Sequence, residues 1–277
     1  MRTPIPPARF HELIAAVCED RYAAEDLETF GPLEDWDVSE IEDFSDAFED
    51  RATFNRDISR WNVSRATNMS RMFVRAYAFN QPVGEWDVSR VTNMAFMFMY
   101  ARVFDQSLGN WDVSHVTDMC GMFYSAWAFN QPLAGWNVSQ VTNMALLFSD
   151  ARDFDQPLEG WDVSCVTTMR GMFAATEAFN RPLERWNVGR VTDMSFLFFE
   201  ARAFNQPLNG WDVSRVTSMD SMFDPTAIIH QPLGDWDVSR IRNAFVDWPT
   251  PPPGRGQRPR RRPPSVSPFA RRHRSFP

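Results

Sequence analysis

The sequence predicts an α/β repeat solenoid of about nine 25-residue coils, each with a short strand and a short helix, closed at its start by a capping helix. Three observations predict it. Trp36, Trp61, Trp86, Trp111, Trp136, Trp161, Trp186, Trp211 and Trp236 lie 25 residues apart without a slip, and they are nine of the chain's eleven tryptophans. Two apolar periodicities recur inside every unit. A short amphipathic run precedes the first tryptophan.

That first run lies in "MRTPIPPARFHELIAAVCEDRY". Its longest apolar stretch, Leu13 to Cys18, is six residues with charge on both sides, too short for an export signal. It reads as an amphipathic helix over the open end of the first coil, because solenoid ends need caps. Residues 1–26 are therefore assigned to a capping-helix region, 27–248 to the repeats and 249–277 to a disordered tail.

Within a unit, Trp86 and Val88 alternate around Asp87, the pattern of a strand with one inward face. Met94, Met97, Phe98 and Ala101 then follow the spacing of a helix face, with Thr92 placed to cap it and Asn93 in its first turn. Pro82, Pro132, Pro157, Pro182, Pro207 and Pro232 occupy the return segment, where no ladder hydrogen bond is required. One such unit cannot bury its own apolar face, whereas stacked units share a continuous core.

The pattern Trp-Asp-Val-Ser-x-Val-Thr-x-Met-x-x-Met-Phe-x-x-Ala-x-x-Phe-Asn-Gln-Pro, spelled in full by residues 111–132, resembles the BspA-like leucine-rich repeat, also called the surface protein 26-residue repeat or DUF285. The resemblance covers roughly residues 27–247. It implies a leucine-rich-repeat-like solenoid and a surface or adhesion-type protein, and it offers no catalytic residues to carry over. An export signal is not visible at the start of the chain. An intracellular or virion-associated location is therefore expected over a secreted one.

Charge is unevenly placed. Residues 1–248 hold 36 acids against 20 arginines, a net −16, and the chain has no lysine. Residues 249–277 are rich in proline and hold Arg255, Arg258, Arg260, Arg261, Arg262, Arg271, Arg272 and Arg274 with no acid. Such a tail is expected to be disordered and to take a polyanion or an acidic partner. Cys18, Cys120 and Cys165 share no repeat column, so neither a disulfide framework nor a zinc site is expected. No stretch is long and apolar enough to cross a membrane.

Three columns face outward on this reading. Asp37, Asn62, Asp87, Asp112, Asn137, Asp162, Asn187, Asp212 and Asp237 directly follow the tryptophans. They form a polar ladder, either a stripe for a cation or basic ligand or a set of side chains bonded to nearby backbone; the second is favoured. Arg65, Arg90, Arg190, Arg215 and Arg240 stand where they would neutralise it. Ten residues after each tryptophan, Arg71, Phe96, Gly121, Leu146, Gly171, Phe196 and Ser221 alternate large with small. Phe96, Leu146 and Phe196 are thus a hydrophobic docking stripe or, preferably, bulky residues leaning over the small residue of the next coil. Tyr77, Arg102, Trp127, Arg152, Glu177 and Arg202 form a column of arginines between aromatic or acidic residues, set for cation–π contact. A further column, Asn55, Asn80, Asp105, Asn130, Asp155, Asn180 and Asn205, is expected to satisfy backbone groups of the turns.

His11, His115, His230 and His273 share no column, and no nucleotide-binding or nucleophile motif is present. Like groups spread along a line, where catalysis needs unlike groups converging on one spot. The expected function is a non-enzymatic, adhesion-type protein–protein interaction scaffold without a cofactor or metal. Its candidate binding surface is Asp87, Asp112, Asp162, Asp212, Phe96, Leu146 and Phe196, and its tail is expected to use a separate partner. The alternative is a structural component of an envelope or virion assembly.

Overall fold

The computed structural model describes residues 3–223 and 236–241, all within one compact unit, Met1–Asp247. It opens with a 3-10 turn, Pro7–Arg9, and helix α1, Phe10–Cys18. Phe10, Leu13 and Ile14 are one face of α1 and are buried. The Phe10 ring meets Phe44 edge-on at 5.2 Å and Trp61 at 6.1 Å, which ties α1 to the first two tryptophan units. A second helix, α2, Ala24–Phe30, ends at Gly31, whose φ of 76° requires glycine. The sequence reading placed no element there, and α2 straddles the boundary set at residue 26. Arg9 holds it to α1 by a forked bond to Asp26 at 2.9 and 3.1 Å.

From Trp36 onward, residues 25 apart lie in register. Trp111, Trp136, Trp161 and Trp186 stack at 6.4–6.5 Å with ring planes within 3°. Phe73, Phe98 and Phe123 stack in a second column, and Phe79, Phe104 and Phe129 in a third. Within a unit, Phe98 lies 4.1 Å from Phe104. Each tryptophan of the 25-residue series is buried, and its indole N–H is answered: Trp86 donates to the Ile58 carbonyl, Trp136 to Leu108 and Trp211 to Leu183, each 28 residues back. A buried Trp without such a partner would carry the cost of an unmet donor.

The expected strand and helix are both corrected. Trp86 and Val88 are buried and Asp87 is exposed, as alternation predicts, but no strand forms there. The parallel contacts between units fall six residues later, from Asp43 through Asn68, Asn93, Asp118, Asn143, Thr168 and Asp193 to Ser218, each as an isolated bridge. Where a helix was expected over Met94–Ala101, the chain makes a run of tight turns. The N–H groups of Met97, Met99 and Ala101 bond three residues back, to Met94, Phe96 and Phe98. The intervening N–H groups of Met94, Phe96, Phe98 and Tyr100 donate to Asp118, Cys120, Met122 and Tyr124 of the next unit. Half the donors are thus exported between units, which a helix cannot do.

That arrangement requires a left-handed residue at two places per unit, such as Phe96 and Tyr100 at φ 59° and 62°. Each non-glycine there costs about 1–2 kcal/mol. Four inter-unit hydrogen bonds per coil and the stacked aromatic core offset that cost. Thr92 is a rung and not a cap: its N–H and hydroxyl both reach the Thr67 carbonyl, at 2.9 and 3.2 Å. Asn93, expected in the first turn of that helix, instead closes a local turn, since its Oδ1 accepts the Ala95 N–H at 2.9 Å.

Gly121 occupies a left-handed position at φ 56°, and a Cβ there would overlap the Phe96 ring. Gly121→Ala should therefore cost roughly 1–3 kcal/mol, combining backbone strain with overpacking. Adding Phe96→Ala should recover part of that loss, because it removes the ring. Urea unfolding of both single variants and the double variant measures the coupling. Strictly additive costs would show that the two residues do not pack as described.

Candidate interaction surface

The acid that follows each tryptophan points outward. Asp87, Asp112, Asp162 and Asp212 are exposed, and each Oδ1 accepts the N–H of the serine two residues on, at 3.0–3.1 Å. Asp87 also accepts the Ser89 hydroxyl at 2.6 Å. Asn62, Asn137 and Asn187 make the same backbone bond at 3.2 Å, so neutral and charged members do one job. Hydrogen bonds from the serines hold the carboxyls of Asp112, Asp162, Asp212 and Asp237 below the usual range. The described ion pairs of the arginine column go elsewhere, Arg65 to Glu40 and Glu42. Among the described residues, no group of three His, Cys, Asp or Glu side chains is placed to hold a metal ion.

A pH prediction follows from these four depressed carboxyls. A depressed folded value means a contribution fully present above the unfolded pKa and lost as pH falls through the folded value. Stability should thus begin to fall near roughly pH 5 and drop further below roughly pH 4. Replacing Asp112, Asp162 and Asp212 together by Asn keeps the acceptor and removes the titration. The triple variant should fold and show a shallower loss of urea midpoint between neutral and acid pH. A slope equal to that of the parent chain would show that these carboxyls do not contribute.

Phe96, Leu146 and Phe196 are half-buried, two coils apart, and form no common cluster. The Phe96 ring covers Gly121, and Leu146 Cδ2 would lie 2.8 Å from a Cβ on Gly171. Phe196 has Phe199 edge-on at 5.8 Å and the Arg170 guanidinium at 5.1 Å. Packing between coils accounts for this stripe. The tail residues Arg258, Arg260, Arg261, Arg262, Arg271, Arg272 and Arg274 lie outside the described residues, as do His230, His273, Pro232 and Trp248.

The asparagine column does what its position suggested. Asn80 N–H bonds Asn55 Oδ1 at 2.9 Å, Asp105 N–H bonds Asn80 at 3.0 Å and Asn130 N–H bonds Asp105 at 2.9 Å. Gln81, Gln106 and Gln131 add a second bond to the same oxygens, a pairing the sequence reading missed although Gln follows Asn at a constant place.

Sequence reasoning also missed the acid–arginine seam near the start. Arg71 pairs with Asp46 and Glu49, Arg75 with Asp50 and Glu49, and Arg56 with Glu34. The Arg75 guanidinium pulls the Asp50 carboxyl below its ordinary range, and Arg56 does the same to Glu34. The signal was available: acids fill the Trp36 unit at the columns where the Trp61 unit has arginine. A hollow beside them is lined by His11, Glu40, Glu42, Asp43 and Arg65. Its polar groups already have partners, His11 Nε2 with the Ser45 carbonyl and Asp43 with the Ser45 N–H and Asn68. Burial, with Asp118 adding to it, pushes the Cys120 thiol up to about 11, so it stays protonated at neutral pH.

The cation–π column is formed from Tyr77 to Arg152. Arg102 lies 4.7 Å from the centre of the Tyr77 ring and 4.2 Å from Trp127, and Arg152 lies 4.3 Å from Trp127 on its other side. Asp150, which the sequence reading did not single out, accepts the Trp127 indole N–H and the Ser125 hydroxyl at 2.9 Å and Arg152 Nε at 3.0 Å.

No helix among the described residues is long and apolar enough to cross a membrane. No curated protein and no solved structure significantly matches the chain. A family model described as "Mycoplasma protein of unknown function, DUF285" matches residues 20–119, 105–196 and 156–246, three overlapping stretches of the repeat array. They span most of the chain, whose 25-residue units are repeated copies of one pattern: this protein belongs to the DUF285 family.

Proposed function

We propose that this chain is a non-enzymatic, adhesion-type protein–protein interaction scaffold, a leucine-rich-repeat-like solenoid of the BspA-like kind. The observation that carries this reading is how the polar columns are used. Asp87 and its equivalents, the Asn55–Asn205 column and the threonine rungs each bond backbone of their own or the neighbouring coil. The same groups recur along a line, which suits an extended contact with one macromolecule. The basic tail serves a second partner, a polyanion.

Two measurements test this. Light scattering of full-length protein across a wide concentration series should report a monomer; growth with concentration would replace the scaffold with a structural component of an envelope or virion assembly. Binding to heparin should require the tail and weaken steeply with salt, through counterion release, when full-length and 1–248 proteins are compared. Salt-insensitive binding by 1–248 would remove the role given to the tail. A turnover activity lost on mutating one polar cluster would overturn the scaffold itself.

A further inference from the structure

We propose that the ridge formed by Tyr77, Arg102, Val103 and Trp127 docks an extended segment of a partner protein that carries a carboxylate beside an apolar side chain. This rests on the scaffold reading and names the chemistry of its partner.

Arg102 is held between two rings, at 4.7 Å from Tyr77 and 4.2 Å from Trp127. Its column mate Arg152 has its charge met by Asp150 at 3.0 Å. Among the described residues Arg102 has no such carboxylate, and its Nε is enclosed without a hydrogen-bond partner. A guanidinium already fixed by stacking loses little further freedom when it binds, and its fork matches a carboxylate.

Beside it, Val103 is 47% exposed, where the equivalent positions hold Ala78 and Ala128. The backbone bond that joins residues 26 apart here runs from Ala78 to Ala52, Ala128 to Arg102, Asp153 to Trp127 and Ala178 to Arg152, at 3.1–3.2 Å. It is not made from Val103 to Tyr77, which leaves that amide and that carbonyl for an incoming backbone. Ala203 lacks it too, but the arginine beside it follows Glu177 in the column and no aromatic ring. Tyr, Trp and Arg around a protruding apolar side chain are the residues that dominate binding at protein interfaces. A polyanion would meet the repulsion of a body at net −16, whereas a lone carboxylate flanked by apolar groups meets Arg102 with little of it.

The test is selection of a phage-displayed random peptide library on the full-length protein, followed by titration calorimetry of the enriched peptides. Enrichment of Asp or Glu next to aliphatic or aromatic residues is expected. Arg102→Gln should weaken the selected peptides by about tenfold or more, the scale of a charge-assisted bond. Val103→Glu, which changes only an exposed side chain, should weaken them as well and keeps the test valid if Arg102→Gln alters the melt. Arg185→Gln, remote in the column pattern, should leave binding unchanged. Peptides that bind Arg102→Gln and Val103→Glu as tightly as the parent, or a basic consensus, would overturn the ridge while leaving the scaffold standing. A library that yields no binder to any part of the protein would sink both.

Discussion

Replacing Trp136 by alanine should lower the free energy of unfolding by about 3–5 kcal/mol, the range of large-to-small changes in a core. Trp136 is buried between Trp111 and Trp161 at 6.5 and 6.4 Å, and it caps the Leu108 carbonyl at 3.0 Å. Its removal breaks the indole column at one step and takes one of two hydrogen bonds from that carbonyl, which also accepts the Trp111 N–H. Trp127→Ala should cost less, roughly 1–2 kcal/mol, because it removes two exposed-side cation–π contacts and one bond to Asp150. Denaturant titrations of both variants decide it. Equal losses would mean that the tryptophan column is not the main inward seam.

The second large effect concerns register. Deleting Val91–Gln140, two whole units, should leave a folded, shorter protein with a proportionately smaller denaturant slope. The deletion rejoins equivalent positions. Arg152 takes the place of Arg102 beside Tyr77, and Val141 follows Arg90 as Val91 did. A deletion of twelve residues from the same region should abolish cooperative unfolding, because it brings outward positions such as Asn110 onto the inward column of Phe73. Circular dichroism during thermal melts separates the two outcomes. A common midpoint for both deletion variants would contradict in-register stacking.

Much of this was legible in the residues. The Trp, Val, Met and Phe columns named every main layer of the core, since an inward position must be apolar whatever backbone carries it. The backbone itself was misread. Met94, Met97, Phe98 and Ala101 satisfy a helical spacing, but a staircase of tight turns presents the same four residues inward. Apolar periodicity cannot separate the two. Gly121 and Gly171 in the middle of that stretch were the signal against a helix, because they mark a column that needs positive φ. The Asp ladder's orientation could be read from alternation around Trp and Val. That its carboxylates bond the serine N–H two residues on came from the local turn.

What the sequence by itself determined is the repeat, its 25-residue register, which side chains face in, and the unequal charge of body and tail. A strict period makes every column a property of the chain alone. Tertiary structure alone decided where each backbone donor goes. Phe96 and Phe98 look to the next coil while Met97 and Met99 look to their own, a choice that exists only once a neighbour supplies carbonyls. It also decided that Phe96 and Leu146 lean over glycines, and that Arg102 is held between two rings without a carboxylate while Arg152 has Asp150. Residues 25 apart share a column in the sequence. Which of them finish each other's bonds depends on distances of a few ångströms between coils, and only the stacked chain sets those.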